Sequence, residues 1–222
     1  MKELMLIYER LLEEFGPQGW WPGESDFETI VGAILTQNTN WKNVEKALGV
    51  MKGQGVLDAR ALRAVPGAEL AEMIRPTGYY KQKAKKLAAF LDYFFDNYDG
   101  DTQRLSKQDL DVLRAELLGV WGIGEETADA IILYAAHQPT FVIDAYTRRV
   151  FSRMGFVSGD AAYGELKGFF EATVPRDLYV FKEFHALIDE LAKRFCKTRP
   201  DCDGCPVSDL CGFKEKGKGK DR

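Results

Sequence analysis

A glycine-rich turn between two apolar helical segments most constrains how this chain folds. The first segment carries Leu110, Leu113 and Leu117 at helical spacing and ends where Gly119, Gly122 and Gly124 follow. Beyond the glycines, one helical face continues through these residues: Ala128, Ile131, Ile132 and Ala135. Glycine clusters of this kind fit a tight turn, so residues 119–124 are predicted to join two helices.

The start of the second helix is a predicted anion-binding site. A helix that opens after a glycine turn presents unbonded backbone N–H groups and the positive end of its dipole. Contacts of this kind bind a phosphate without reading any base. Further along, Asp144 follows the apolar residues 141–143 and precedes a polar segment, 146–149. Asp144 is either a structural residue that caps a helix N-terminus or a catalytic carboxylate.

All four cysteines of the chain lie near its C-terminal end, at Cys196, Cys202, Cys205 and Cys211. Their spacing is C-x5-C-x2-C-x5-C. In a chain without a secretory signal, four crowded cysteines favour metal binding over a disulfide framework. Four thiolates around a tight loop can hold tetrahedral zinc or an iron–sulfur cluster. The paired CxxC knuckles that are usual for zinc are missing.

The length, hydrophobic content and net charge of the chain limit its class but do not identify its ligand. The chain has 222 residues and is 45% hydrophobic, which is enough for one large or two small domains. No apolar run approaches the ~20 residues that a bilayer requires, so a cytoplasmic protein is expected. The net charge of −4 does not favour nucleic acid. Basic residues nevertheless cluster at 81–86, 148–153 and 193–199, and binding follows the local field.

Helical periodicity runs along the whole chain, and convincing period-2 alternation is absent. Apolar stripes predict helices over 1–15, from Ser25 to about residue 35, over 44–51, and from Lys81 onward. Ser25 with Glu28 has the pattern of a capping box. We therefore predict an all-α fold. The C-terminal segment 212–222 is rich in lysine and glycine, and we expect it to be a disordered basic tail.

The glycine turn, Asp144 and the cysteines together resemble the endonuclease III superfamily of helix-hairpin-helix (HhH-GPD) DNA glycosylases. The family hairpin L-P-G-V-G-x-K-T-A corresponds here to residues 120–128, and the family motif V-D-T-H corresponds to residues 143–146. The family cluster loop, C-x6-C-x2-C-x5-C, is one residue longer in its first gap. The resemblance covers roughly residues 20–211 and implies a [4Fe–4S] cluster on the four cysteines.

The resemblance also implies a domain organisation. A six-helix barrel domain with the helix-hairpin-helix is expected over 24–137, with the hairpin at 119–124. Residues 1–23 and 138–211 are expected to form a second helical domain that carries the cluster loop 196–211. In this architecture Asp144 lies at the cleft between the domains, where it acts as the catalytic carboxylate.

Several residues take DNA-binding roles by resemblance. The segment 36–41 corresponds to the family's S-A-Q-A-T-D, in which the glutamine fills the gap left by the extruded nucleotide; here that glutamine is Gln37, next to Asn38. The turn G-Y-Y-K-Q-K-A resembles the family's G-x-Y-N-x-K-A. The full set of expected DNA-binding residues is Gln37, Asn38, Lys81, Lys83, Gly122, Gly124, Thr127 and Arg148.

A tryptophan pair marks a candidate base pocket. Trp20 and Trp21 precede Pro22 and Gly23, which exclude a helix, so both indoles lie on a loop. They form either a lid over the core or, with Pro22 and Trp41, an aromatic wall for a flipped base. The motifs around W-W-P, V-G-A-x-L-T-Q-N-T and G-I-G-x-E-[ST]-A-D-A-I resemble the 3-methyladenine DNA glycosylase III branch. An alkylated purine is cationic, and an electron-rich pocket selects it by cation–π attraction.

One departure from the family motif bears on the reaction. Bifunctional members carry a Schiff-base lysine at the position that Glu126 holds here. The expected activity is therefore monofunctional hydrolysis of the N-glycosidic bond in double-stranded DNA by a monomer. Two alternatives stay open: an endonuclease III-like glycosylase for oxidised, deaminated or mismatched bases, and a non-catalytic iron–sulfur DNA-binding module.

Overall fold

The fold is built from helices alone in the part of the chain that the structure describes. A computed structural model of the protein describes residues 2–213, and within these residues it contains twelve α-helices, two 3₁₀ turns and no strand. The all-α prediction is confirmed. Of the expected basic tail, residues 214–222 lie outside the described residues. None of the described helices is both long and apolar enough to span a membrane.

The chain forms two compact units. The central unit is Trp21–Gln138, and the terminal unit combines Met1–Trp20 with Pro139–Arg222. The chain passes from the terminal to the central unit between two adjacent tryptophans, Trp20 and Trp21. Each unit has its own aromatic and aliphatic core.

The central unit contains eight α-helices and a 3₁₀ turn at Arg75–Thr77. The helices are α2 (Asp26–Leu35), α3 (Trp41–Gly53), α4 (Ala59–Ala64), α5 (Gly67–Met73), α6 (Tyr80–Tyr98), α7 (Thr102–Ser106), α8 (Leu110–Gly119) and α9 (Glu125–Tyr134). Helix α2 is buried along nearly its whole length and packs against α9 and α6. Ser25 caps α2 by accepting a hydrogen bond from the Glu28 N–H at 3.1 Å. This packing places the C-terminal end of α2 and the start of α9 in one unit.

The terminal unit contains four α-helices and a 3₁₀ turn at Ser208–Leu210. The helices are α1 (Lys2–Phe15), α10 (Ala145–Met154), α11 (Tyr163–Thr173) and α12 (Leu178–Arg194). Helix α12 packs against both α1 and α10. The core of the terminal unit is a cluster of fully buried phenylalanines, in which Phe141 stacks on Phe170 with ring centroids 4.2 Å apart. This core holds α10, the helix that Asp144 precedes, against α12.

Candidate functional site

The hairpin between α8 and α9 depends on one of its glycines. Gly122 has φ of +88°, and a Cβ added there would lie 2.4 Å from Lys86 Cγ. A side chain at this position would therefore be strained and would collide with α6. Gly124 has an extended backbone and precedes the first residue of α9, with open space where a Cβ would be. The first turn of α9 is consequently accessible to a ligand that approaches its backbone N–H groups.

A buried ion pair fixes the two helices of the hairpin. Asp129 on α9 is 0% exposed, and the Arg114 guanidinium on α8 donates to both of its carboxylate oxygens, at 2.8 and 3.2 Å. A bidentate pair of this geometry satisfies the buried carboxylate and sets the distance between the helices. Sequence reasoning missed this pair, because the two residues are separated by the turn and neither carries a motif.

Gln37 lies against the hairpin, in the segment that follows α2. Its Nε2 donates to the Gly122 carbonyl at 3.1 Å and to the Thr127 hydroxyl at 3.0 Å, and its Oε1 accepts from Lys86 Nζ at 2.5 Å. The structure thus brings together three expected DNA-binding residues, Gln37, Gly122 and Thr127, and adds Lys86. Thr127 is buried, and its hydroxyl already accepts the bond from Gln37. Asn38, beside Gln37, is exposed with φ of +52°.

Lys83 requires a correction to the expected DNA-binding set. Its side chain is only 2% exposed, and its ammonium donates to the carbonyls of Leu35 at 2.9 Å and Thr77 at 2.7 Å. Burial, with a smaller effect from the charge of Lys86, lowers its pKa from 10.5 to about 8. A buried ammonium that binds the end of α2 cannot reach a phosphate, so Lys83 is structural. Lys81, two residues earlier on α6 and therefore on a different face of the helix, is exposed.

Two of the candidate pocket tryptophans pack together in the central unit. The Trp21 and Trp41 rings meet edge to face with centroids 5.3 Å apart, and Trp21 lies 5.2 Å from Tyr134. Gly32 on α2 makes room for both indoles, since a Cβ there would lie 3.3 Å from each of them. Pro22 is exposed beside this group. Sequence reasoning missed Tyr134, which is hidden in the apolar face of α9.

Trp20 belongs to the terminal unit and has different neighbours. Its ring meets His185 edge to face at 5.8 Å, and the Lys193 ammonium lies over it at 5.4 Å from the centroid. Both partners come from α12. The four residues expected to form one base pocket are therefore divided between the units. Trp20 belongs to the terminal unit, and Trp21, Pro22 and Trp41 belong to the central unit.

Asp144 is the N-cap of α10 and uses only one of its two carboxylate oxygens for the cap. Its Oδ1 accepts a 2.7 Å hydrogen bond from the Thr147 N–H and caps α10. Its Oδ2 lies 3.9 Å from His185 Nε2, and the Asp144 side chain is 19% exposed. One carboxylate oxygen is thus engaged in the cap, and the other faces a histidine that no motif pointed to.

The arginines of α10 bind backbone carbonyls. Arg148, expected to bind DNA, is half-buried and donates to the Ala161 carbonyl. Arg149 donates to the carbonyls of Cys196 at 2.8 Å and Ala192 at 3.2 Å, and Arg153 donates to Thr198 at 3.0 Å. The same helix that begins after Asp144 therefore holds the start of the loop over residues 196–211, here called the cysteine loop.

The four cysteines line a single cavity, together with Arg153, Phe195, Pro200 and Phe213 among others. Burial, and then the neighbouring cysteines, raise the pKa of the Cys205 thiol to about 11. Thiols crowded in this way favour binding of a cation that stabilises their ionised form, so the donor set suits a group held by four cysteines. Within residues 2–213, no group of three or more His, Cys, Asp or Glu side chains is arranged to hold a metal ion.

Comparison with known proteins identifies the class of this chain. The family described as HhH-GPD superfamily base excision DNA repair protein matches residues 31–176. The chain belongs to this family of DNA glycosylases. The resemblance that the hairpin and Asp144 indicated is confirmed.

Two relatives are similar to this chain over most of its length. The chain is 47% identical to a protein of Methanocaldococcus jannaschii named as a putative DNA repair glycosylase, over 92% of this chain and 94% of that one. It is 27% identical to endonuclease III of Sulfolobus acidocaldarius, over 84% of this chain and 82% of the other.

Solved structures show the same fold. An H. pylori 3-methyladenine DNA glycosylase bound to 1,N6-ethenoadenine aligns with a TM-score of 0.76 and 28% identity, covering 86% of this chain and 97% of that one. A trapped endonuclease III–DNA covalent intermediate aligns with a TM-score of 0.84 and 22% identity, over 98% of both chains. The expected endonuclease III-like fold is confirmed.

Proposed function

We propose that this protein is a monofunctional DNA glycosylase that hydrolyses the N-glycosidic bond of a flipped alkylated purine, with Asp144 as its catalytic carboxylate. The observation that carries the proposal is the geometry of Asp144. The cap on α10 orients one oxygen and leaves the other available to the reaction. A carboxylate at this place stabilises the oxocarbenium-like sugar and orients the attacking water.

The proposal assigns the DNA backbone contacts to the central unit. The accessible N–H groups at Gly124 and the first turn of α9 suit a phosphate oxygen. Exposed Lys81 and Asn38 supply further polar contacts. Gln37 fills the space of the flipped nucleotide once it releases its bonds to the hairpin. The protein acts as a monomer on double-stranded DNA.

The substrate class rests on the aromatic residues. Trp21, Trp41 and Tyr134 give the central unit a group of three electron-rich rings. Each good contact between such a ring and a cationic base contributes ~0.5–2 kcal/mol. The similar H. pylori enzyme is named for 3-methyladenine and binds 1,N6-ethenoadenine, which supports an alkylated purine here.

The cofactor proposed for the cysteine cavity is one [4Fe–4S] cluster, held by Cys196, Cys202, Cys205 and Cys211. When bound, it supplies a rigid core for the loop rather than a reacting group. The chain's own contribution is the grip of Arg149 and Arg153 on that loop. Iron and sulfide analysis of anaerobically purified protein tests this assignment, and one zinc without iron overturns it.

The central test is a base-release screen on duplexes that each carry one lesion, comparing wild type with Asp144→Asn. We expect wild type to release alkylated purines and Asp144→Asn to lose at least ~100-fold in rate while still binding the duplex. Asp177→Asn is the matched control, since Asp177 caps α12 by accepting from the Val180 N–H at 2.9 Å. Both substitutions change a cap, so an equal loss in both would return Asp144 to a structural role.

The monofunctional assignment rests on Glu126, which stands in the first turn of α9. A lyase requires an amine that attacks C1′ to form an imine, and a carboxylate cannot do this. A carboxylate in a first helical turn also contributes ~0.3–1 kcal/mol through the helix dipole. Borohydride trapping on lesion-containing DNA tests the assignment. We expect no covalent adduct, and an adduct that forms as fast as base release would overturn it.

A second candidate substrate class is favoured by the endonuclease III relatives, such as the one from S. acidocaldarius. In this alternative the enzyme releases oxidised, deaminated or mismatched bases. The same screen separates the two classes. Release of neutral lesions with no release of alkylated purines would select the alternative and leave the role of Asp144 intact.

A further inference from the structure

One face of α12 carries three polar residues at successive helical turns. His185, Asp189 and Lys193 are spaced by four residues, which aligns them on the same side of the helix. His185 is 5% exposed and Asp189 is 4% exposed. Asp189 accepts an ion-pair contact from Lys193 at 2.5 Å. Three ionisable residues in a row, two of them buried, are expensive unless they serve a site.

This row ends at Asp144. His185 Nε2 lies 3.9 Å from Asp144 Oδ2, and Asp189 is close enough that the charges of Asp144 and His185 both act on it. Burial raises the pKa of Asp189, and the Lys193 ion pair opposes that rise. The Trp20 ring covers the histidine edge-on at 5.8 Å. His185 therefore contacts Trp20 and faces the candidate catalytic carboxylate.

The distance between the two atoms suits a shared ligand. At 3.9 Å, Nε2 and Oδ2 are too far apart for a direct hydrogen bond. A water about 2.8 Å from each atom would subtend an angle of roughly 90° between them. That angle is near the one between the two O–H bonds of water. A single water can thus donate one hydrogen to each acceptor.

We propose that His185 Nε2 and Asp144 Oδ2 together hold the attacking water, which makes His185 a second catalytic residue. This inference rests on the proposed glycosylase function. With both hydrogens donated, the water oxygen keeps a lone pair for C1′. The O–C1′ bond forms as the N-glycosidic bond breaks, and the electron pair of the N-glycosidic bond leaves with the base. One water proton passes to Asp144, and from there to the released base or to solvent.

The test measures the single-turnover rate of base release in a mixture of water and methanol. It also measures how the sugar product divides between the hydrolysed form and the methyl glycoside. The probe is a duplex with 7-methylguanine or, if wild type does not release it, the lesion released fastest in the screen. We expect His185→Phe to slow release about 100-fold, as for loss of a positioned acid–base group. We also expect it to raise the fraction of methyl glycoside, because the water is no longer selected. His185→Gln, which keeps an acceptor, should recover part of the rate and the selectivity.

Matched measurements separate this role from a structural one. His137→Phe removes the only other histidine of the chain and should leave rate and partition unchanged. Binding to a duplex with an abasic-site analogue and thermal unfolding report whether each variant folds. Slower release with the wild-type methanol partition in both His185 variants would overturn the proposal, and so would an unchanged rate. Absence of base release by wild type from every lesion would instead refute the proposed function itself.

Discussion

The C-terminal ends of α2 and α12 are each bound by a cation from another helix, and each end leads into a candidate functional loop. At the end of α2, before Gln37, Lys83 of α6 donates to the Leu35 carbonyl. At the end of α12, before the cysteine loop, Arg149 of α10 donates to the carbonyls of Ala192 and Cys196. Carbonyls at helix ends lack intrahelical partners, so a cation there satisfies them.

The two cations differ in what they can do afterwards. Lys83 is a buried point charge whose pKa is lowered to about 8, so it can lose its proton within a modest change of pH. Arg149 is half-buried and lies over the Tyr146 ring, and a guanidinium group does not lose its proton in proteins. The segment after α2 that carries Gln37 is therefore sensitive to pH at its anchor, whereas the cysteine loop is held independently of pH.

Breaking the Arg149 anchor should have the largest effect. Arg149→Leu removes two charge-assisted hydrogen bonds to loop carbonyls, and we expect the free energy of unfolding to fall by about 3 kcal/mol. The cysteine loop loses one side of its support, so the visible absorbance of the proposed cluster should fall as well. Urea unfolding and an absorbance spectrum measure the two effects. Arg149→Lys is the control, and it should recover only part of the stability because it lacks the guanidinium fork. A loss below ~1 kcal/mol would show that the anchor is dispensable.

Removing the Lys83 anchor should have a smaller effect with a pH dependence of its own. Lys83→Met leaves two carbonyls without this donor and should cost about 2 kcal/mol at neutral pH. Because the folded pKa is about 8 and the ordinary value 10.5, the folded protein releases this proton first. The unfolded chain then binds more protons, so the contribution of Lys83 to wild-type stability increases between these two pH values. Urea unfolding at pH 7.5 and pH 10 measures this change.

The variant itself provides the reference for the pH effect. The difference in unfolding free energy between wild type and Lys83→Met should change by up to about 3 kcal/mol across the window, in favour of wild type at the higher pH. Taking the difference cancels the titration of tyrosines and cysteines that both proteins share. A difference that stays constant with pH would mean that Lys83 titrates normally and that the contrast with Arg149 is wrong.

Lys81 and Lys83 should also differ in how they affect the salt dependence of DNA binding. Lys81→Ala should reduce the slope of log affinity against log salt by about one, because it removes one phosphate contact. Lys83→Met should leave the slope unchanged, since its ammonium is bonded inside the protein. Fluorescence-anisotropy titrations on an undamaged duplex at several salt concentrations test both. A reduced slope for Lys83→Met would restore it to the DNA-binding set.

The local features of this protein could be predicted from its sequence. Helical periodicity, the Ser25 cap and the glycine turn predicted elements whose causes are short-range, and the structure has them. The need for glycine at position 122 follows from its φ of +88° and was visible as a glycine in a turn. Asp144 also stood in a recognisable position, because an N-cap is defined by the residues beside it.

Which side chains face the interior, and which distant residues meet, depended on the packing of the helices. Lys81 and Lys83 look alike in sequence, yet the turn of α6 exposes one and buries the other against the end of α2. Trp20 and Trp21 are adjacent, yet they pack in different units. His185 comes 41 positions after Asp144 in the sequence and meets it only because α10 packs on α12. Hydrogen bonds and ion pairs act over a few ångströms, whereas a sequence pattern reports only neighbours along the chain, so these pairings required the packed fold.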